Sequence, residues 1–337
     1  MREYGRKGAS LLLAFILCLS LLMGMAAGVG AEEITEVSLT VTASDNFSDE
    51  AAEEDFKGAD VVIDLYQIAG MTALGGGVTY DFTPMDPYGS LALDGEMTAE
   101  AWQTVAEDAA AIARNEGTPI VTGRALGEKI VSSDAGSPLG LGLYLVIAHG
   151  RELESFWNED GSATLAEGAV YSYAFTPLLI ALPTNTSPED TSLGEWVADA
   201  ELLLKYVQTE RFGEITIYKT VRNFEGEEAT FVFSVEAEKN GVNVYSNVAT
   251  IHMGQSGTLS ATLDRIPAGS RVTVTEVYSG GRFELVGSGV AEIESVTVGE
   301  ENAVSFENTY NRKIISGHGI QNHFTYSAES GWQWEKQ

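Results

Sequence analysis

The chain holds one cysteine in 337 residues, and that residue, Cys18, sits inside the apolar run Leu11 to Met25. No disulfide framework is open to it. Basic residues are scarce: 19 Lys+Arg stand against 49 Asp+Glu, a formal charge of −30. So acidic a chain repels phosphate backbones and anionic headgroups, which argues against nucleic-acid binding and electrostatic membrane binding. Proline is sparse at 8, and the 36 glycines follow no period, so neither a collagen nor a low-complexity stalk is indicated. After the N-terminal run no stretch approaches the roughly 18 apolar residues of a membrane-spanning helix. His149, His252, His318 and His323 show no metal-ligand spacing, no nucleophile elbow is present, and no glycine loop leads into a helix as a phosphate cradle. Asp45 to Glu54 lacks the glycine and spacing of an EF-hand. We therefore expect no metal, no cofactor and no turnover of an external substrate.

What is present begins with an address. Arg2, Arg6 and Lys7 precede the apolar run, and Val29-Gly30-Ala31 supplies small residues for cleavage, so residues 1–31 read as a secretory signal peptide. Cys18 follows Leu17 within the run, not small residues at its end, so lipidation is not expected. Cleavage removes three bases and one acid and leaves a charge of −32 on an exported, cysteine-free protein without membrane insertion. Its hydrophobic content of 44% suffices for packed cores, and its length suggests two domains.

Residues 32–208 read as strands with one clear helix, Thr98 to Asn115. Thr98 is a good N-cap, and Ala101, Trp102, Val105, Ala109 and Ile112 fall at helical spacing. Val37 to Thr42, Val61 to Ile68, Gly142 to Ala148 and Tyr171 to Leu182 read as strands, Ser44 to Glu54 as a loop, Gly75-Gly76-Gly77 as a turn, and Trp196 to Val207 as extended. Residues 212–311 have a different texture: Glu214–Val221, Ala229–Glu238, Asn243–Met253, Gly257–Leu263, Arg271–Tyr278, Val290–Val298 and Asn302–Tyr310 alternate like short strands between turns, with no helix. That is the pattern of an antiparallel sandwich. Residues 312–337 form a polar, aromatic tail or small hairpin. In it Trp332 and Trp334 share a strand phase, as a hydrophobic clasp or a stacking platform.

Side chains alternate sides along a strand, so facing is readable. Ile215, Ile217, Lys219 and Val221 share one face; so do Val272, Val274, Glu276 and Tyr278; so do Val304, Phe306, Asn308 and Tyr310. Each apolar row carries one polar group. A buried lone charge costs several kcal/mol, so the three are expected to meet. Burial favours neutral forms, and a neutral lysine amine can attack an asparagine side-chain carbonyl while a protonated carboxyl polarises it and shuttles protons. The product is a Lys219–Asn308 isopeptide bond with Glu276 as its catalytic group. Phase alone leaves two other readings: edge residues whose polar ends reach water, and a plain buried ion pair.

Residues 213–311 resemble the Cna-B-like, streptococcal pilin isopeptide-linkage domains of Gram-positive surface proteins. The resemblance rests on Ile215-Thr216-Ile217-Tyr218-Lys219-Thr220, Phe231-Val232-Phe233, Ile266-Pro267-Ala268-Gly269, Val272-Thr273-Val274-Thr275-Glu276 and Val304-Ser305-Phe306-Glu307-Asn308-Thr309-Tyr310. It implies that Lys219 and Asn308 are the bonded pair and Glu276 the catalytic residue. Residues 59–207 resemble, less specifically, the N-terminal domain of SpaA-type pilins, through Val62 to Ala69, the Trp102 helix, Gly142 to Val146 and Tyr173 to Pro177. Gln67 stands where such domains often carry a lysine, so no second bond is expected.

Trp196 lies nine residues before Lys205, the spacing of the pilin motif whose lysine a sortase links to the next subunit, although Leu203-Leu204 replaces the usual tyrosine-proline. Lys205 is thus a candidate sortase acceptor or an ordinary surface lysine. No LPXTG-like motif follows Tyr310, so the resemblance implies a subunit that accepts a link without donating one. The expected protein is all-β, two Ig-like (Cna-B-type) antiparallel β-sandwich domains, the first with a helical insertion. It is exported to the cell wall or surface as a pilin-like subunit or adhesin scaffold, with other pilin subunits as partners. The competing expectation is a secreted carbohydrate- or host-protein-binding module on a hardened stalk.

Overall fold

The computed structural model describes residues 34–45, 47, 50–74, 79–93, 97–186 and 195–311, with 74, 79, 226, 227, 323–327 and 331–335 by backbone alone. The leader with Cys18, the turn at 75–77 and His318 lie outside the described residues. The chain divides between Glu210 and Arg211 into two compact units.

The first unit runs β1 (Ser38–Ala43), α1 (Glu50–Gly58), β2 (Val61–Leu74), β3 (Thr79–Pro84), α2 (Ala99–Asn115), β4 (Val121–Ala125), β5 (Lys129–Val131) and β6 (Gly142–Gly150). It continues through β7 (Thr164–Glu167), β8 (Tyr171–Phe175), β9 (Leu178–Leu182), β10 (Thr184–Asn185), β11 (Trp196–Val197), β12 (Asp199–Leu204) and β13 (Tyr206–Glu210). Its main sheet has the order β3-β2-β6-β9, with β4 also on β2. Smaller sheets β12-β1-β5 and β13-β8-β7 supply the other layer, and β1–β12 is a parallel pair.

Every residue of β6 is buried. Tyr144, Val146 and Ala148 face the inter-sheet core, while Leu143, Leu145 and Ile147 pack with Val105, Ala109, Ala110 and Ala113 of α2. A strand covered on both faces reads as a continuous apolar run, and here the helix covers the outer one. Thr98 caps α2 by accepting from Ala101 N at 3.3 Å. Gly117 ends it at a place where a Cβ would lie 2.6 Å from Ala113 Cα and Tyr88 Oη.

The helix α1 was expected as loop. Its acidic residues Glu50 and Glu53 sit in the first turn, where the helix dipole favours them, while Ala52, Asp55 and Phe56 turn inward. Asp55 is buried and accepts from Val170 N (2.7 Å), Tyr171 N (3.1 Å) and Tyr173 Oη (2.8 Å), tying α1 to β8. Burial, with this carboxylate next in importance, pushes the Tyr173 hydroxyl well above the usual tyrosine range.

The second unit runs β14 (Phe212–Lys239), β15 (Val242–Pro267), β16 (Arg271–Tyr278), β17 (Phe283–Val286), β18 (Val290–Ile293) and β19 (Ala303–Tyr310), and the hairpin β20 (His323–Ser327), β21 (Gly331–Glu335) follows. Four expected strands are here two long ones, joined at Asn240-Gly241, both at positive φ, the signature of a two-residue hairpin turn. Register shifts between Val221 and Ala229 let each long strand serve two faces. The first half of β14 pairs with the far half of β15 and, in parallel, with β19; the second half pairs with β16. Ile215, Ile217 and Val221 from one half share a core with Phe231, Phe233 and Val235 from the other, so the sheet closes over itself as a sandwich.

Candidate functional site

On β14, Ile215, Ile217, Lys219 and Val221 are all buried. The parallel ladder sets Lys219 beside Phe306 and Val221 beside Asn308 of β19. From the opposite face, β16 sets Glu276 across from Phe233. Three strands of both layers therefore converge on one interior point.

Side-chain exposure there is 0% for Lys219 and 2% for Glu276, and Asn308 is fully buried. Lys219 Nζ donates to Glu276 Oε2 at 2.7 Å and to Asn308 Oδ1 at 2.5 Å. Asn308 Nδ2 donates to Glu276 Oε1 at 2.8 Å. The triangle is closed: each oxygen of the carboxylate takes a different partner. Rings wall it in, with Nζ 4.7 Å from the Phe231 centroid and 5.9 Å from that of Phe233.

Burial pushes the Lys219 amine below the usual lysine value, against its hydrogen bond to Glu276 and the charges of Glu276 and Glu307. A desolvated amine is closer to its nucleophilic free-base form. One expectation is altered. Glu276 was to polarise the Asn308 carbonyl; the carbonyl oxygen instead accepts from Lys219, and Glu276 holds the amide nitrogen. The carboxylate thus touches both the nitrogen that would lose a proton and the nitrogen that would leave.

Tyr278 was expected on the inward row of β16 but is 57% exposed. Tyr278 pairs with Val232 and Glu276 with Phe233, a slip in the ladder that flips the strand's phase after Glu276. Phe231 and Phe233, which wall the amine, were assigned no role from sequence; their alternation with Val232 was the available signal.

Lys205 lies between β12 and β13 and is exposed, while Trp196 packs edge-on against Tyr80, centroids 4.6 Å apart. Gln67 lies against Gly142, where a Cβ would come within 2.6 Å of its Nε2. His149 is buried, stacked on Phe156 at 3.9 Å, with Nδ1 2.9 Å from Gly150 O and Nε2 3.4 Å from Asp64 Oδ2. His252 Nδ1 lies 3.0 Å from Thr230 Oγ1. Among the described residues no group of three or more His, Cys, Asp or Glu is placed to hold a metal ion, and no helix is long and apolar enough to cross a membrane.

Residues 215–311 match the family described as a domain of unknown function, DUF5979. No curated protein matches the chain. Among solved structures the chain is similar to GBS52, the minor pilin of Streptococcus agalactiae, at 12% identity and a TM-score of 0.23, covering 83% of this chain and 100% of that one. It is similar to the SpaE basal pilin of Lactobacillus rhamnosus GG at 14% identity and a TM-score of 0.26, covering 79% and 86%. It is also similar to the pilus-presented adhesin Spy0125 (Cpa) at 18% identity and a TM-score of 0.21, covering 52% of this chain and 38% of the adhesin. Scores of this size mark a likeness and say nothing of the chemistry at Lys219.

Proposed function

We propose that this is a secreted, cell-surface structural protein, a pilin-like subunit or adhesin scaffold, whose second unit is stitched by a Lys219–Asn308 amide that the chain makes for itself. The observation that carries this reading is the closed triangle of amine, carboxylate and carboxamide in an interior without water access. The neutral Lys219 amine attacks Asn308 Cγ. The Nζ–Cγ bond forms, the Cγ–Nδ2 bond breaks, one amine proton passes through Glu276 to the leaving nitrogen, and ammonia departs. No oxidant, metal or cofactor enters the balance. The order of sequence motifs around the trio supports the same reading.

The bond would join the first strand of the unit to the last. A pull on the ends of the unit would then be borne by a covalent bridge, the property a surface filament or adhesin stalk needs in a chain that has no disulfide. Lys205, exposed between two strands, is the acceptor through which a sortase would attach the subunit to others.

The test is the intact mass of the 32–337 product. Loss of ammonia lowers it by about 17 Da, and Glu276→Ala restores the full mass. A wild-type chain at full mass would leave only a buried ion pair and overturn the reading.

A further inference from the structure

A cleft of about 320 Å³ opens in the second unit, lined among others by Phe224, Glu228, Tyr278, Arg282, Phe283 and Tyr310. Its floor is aromatic. The rings of Phe224, Phe283 and Tyr310 lie 5.1–5.4 Å apart, centroid to centroid. Phe283 also meets Phe231 edge-on at 5.1 Å, and Phe231 is the ring 4.7 Å from Lys219 Nζ. Between the open cleft and the amine there are thus two rings in series. On the β17–β19 ladder, Phe283 pairs with Tyr310 and Leu285 with Asn308, so the floor sits one step beyond the carboxamide.

We propose that Phe283 is a positioning residue that acts through Phe231, closing the cleft against water on the side of the Lys219 amine. The inference rests on the reading that the bond forms. The chemistry requires a dry amine. Water at Nζ would hydrate and stabilise the ammonium form, which has no lone pair to attack with.

The charged and titratable groups around the amine come from several elements. Glu276 on β16 touches it, and the charge of Glu307 on β19 reaches it. Glu228 on β14, Tyr278 on β16, Arg282 before β17 and Tyr310 on β19 border the cleft. Of these charged and titratable groups Glu276 bonds the amine directly, and the cleft side of the amine is covered by rings. Phe283 is the ring that lines the cleft and also touches Phe231.

The experiment uses the 32–337 chain recovered unfolded, at full mass, from inclusion bodies. It is refolded by dilution at a series of pH values, and the 17 Da loss is followed by mass spectrometry. Wild type sets the reference profile. In Phe283→Ala water reaches the amine, and the half-maximal rate moves upward by about one pH unit, roughly tenfold in the neutral fraction at neutral pH. Phe283→Leu, which keeps the apolar plug, retains the wild-type profile, and so does Tyr278→Ser at the mouth.

Should Phe283→Ala fail to fold by circular dichroism, Phe283→Val is used, with a smaller upward shift expected. A folded Ala or Val variant with an unchanged profile overturns the gate and leaves the bond standing. Loss of the Leu profile together with the Ala profile also overturns it, since packing and not water exclusion would then be responsible. A wild-type chain that never loses mass overturns the bond and the gate together.

Discussion

Lys219 and Asn308 stand 89 residues apart in the chain, and the amine of one lies 2.5 Å from the carbonyl oxygen of the other. The parallel ladder between β14 and β19 makes this possible, because it fixes Asn308 two pairs beyond Phe306, the neighbour of Lys219, and so on the same face of the strand. Glu276 then reaches both from the opposite layer. An uncompensated pair at this depth would be costly, since desolvating each ion takes several kcal/mol. A cluster that discharges itself by forming an amide removes that cost.

The first prediction concerns stability. Closing a loop of 89 residues is worth about 4–5 kcal/mol if the disulfide relation holds for an amide. Lys219→Met/Glu276→Gln removes the bond or, in a chain where no bond has formed, both members of a buried pair, an exchange that is itself often near neutral. We expect the double variant to lose about 4–5 kcal/mol of unfolding free energy in guanidinium titrations. A change within about 1 kcal/mol would mean that only an ion pair had been removed.

The second concerns pH. The folded-state value of Lys219 lies below the ordinary 10.5, chiefly through burial. The neutral amine therefore predominates at a lower pH in the folded chain than in the unfolded one. The rate of mass loss on refolding should rise with pH and reach half its maximum below 10.5. It should fall away as pH drops through the lowered value, where the amine takes up its proton. A rate that climbs toward acid would contradict an amine nucleophile.

The third lies in the first unit. Asp55 satisfies two backbone N–H groups and the Tyr173 hydroxyl in the interior. Asp55→Ala leaves three donors without an acceptor, at about 1–3 kcal/mol each, so a loss of about 3 kcal/mol or more is expected. Tyr173→Phe removes one bond and leaves the others, a loss of about 1 kcal/mol. Chemical denaturation of both variants checks the ratio; equal effects would mean that Asp55 acts only through Tyr173.

The fourth concerns assembly. Co-expressed with a sortase and a subunit bearing a sorting motif, the chain should appear in higher-mass covalent species. Lys205→Ala should abolish them on denaturing gels. The neighbouring Leu203→Ala, at an exposed position of β12, should not. Species that persist in Lys205→Ala would move the acceptor elsewhere.

Facing along single strands was legible in the sequence, because alternation is local. Ile215, Ile217, Lys219 and Val221 are buried as their phase implied, and β16 spans Arg271–Tyr278 as expected. What failed was non-local or depended on exceptions to alternation. Tyr278 points outward because a slip in the ladder, invisible in sequence, flips its phase. Four strands read as separate are two, since Asn223 to Glu228 looks like a turn yet stays within one long bent strand. The helix α1 was hidden by its acidity. Two of its inward side chains, Asp55 and Phe56, find partners on β8 and β13, far along the chain.

Composition and pattern alone determined that this is an acidic chain with a single cysteine and two differently textured halves, with three apolar rows interrupted in turn by one lysine, one glutamate and one asparagine. These are properties of neighbours in sequence, and short-range geometry suffices to read them. Which atoms meet was decided only by tertiary structure: that Glu276 takes the amide nitrogen and not the carbonyl, that two phenylalanines wall the amine, and that a cleft opens behind them. The bonds of Asn308 to Glu276 and Lys219 join residues 32 and 89 apart, and their register depends on bulges and layer packing that no local pattern encodes.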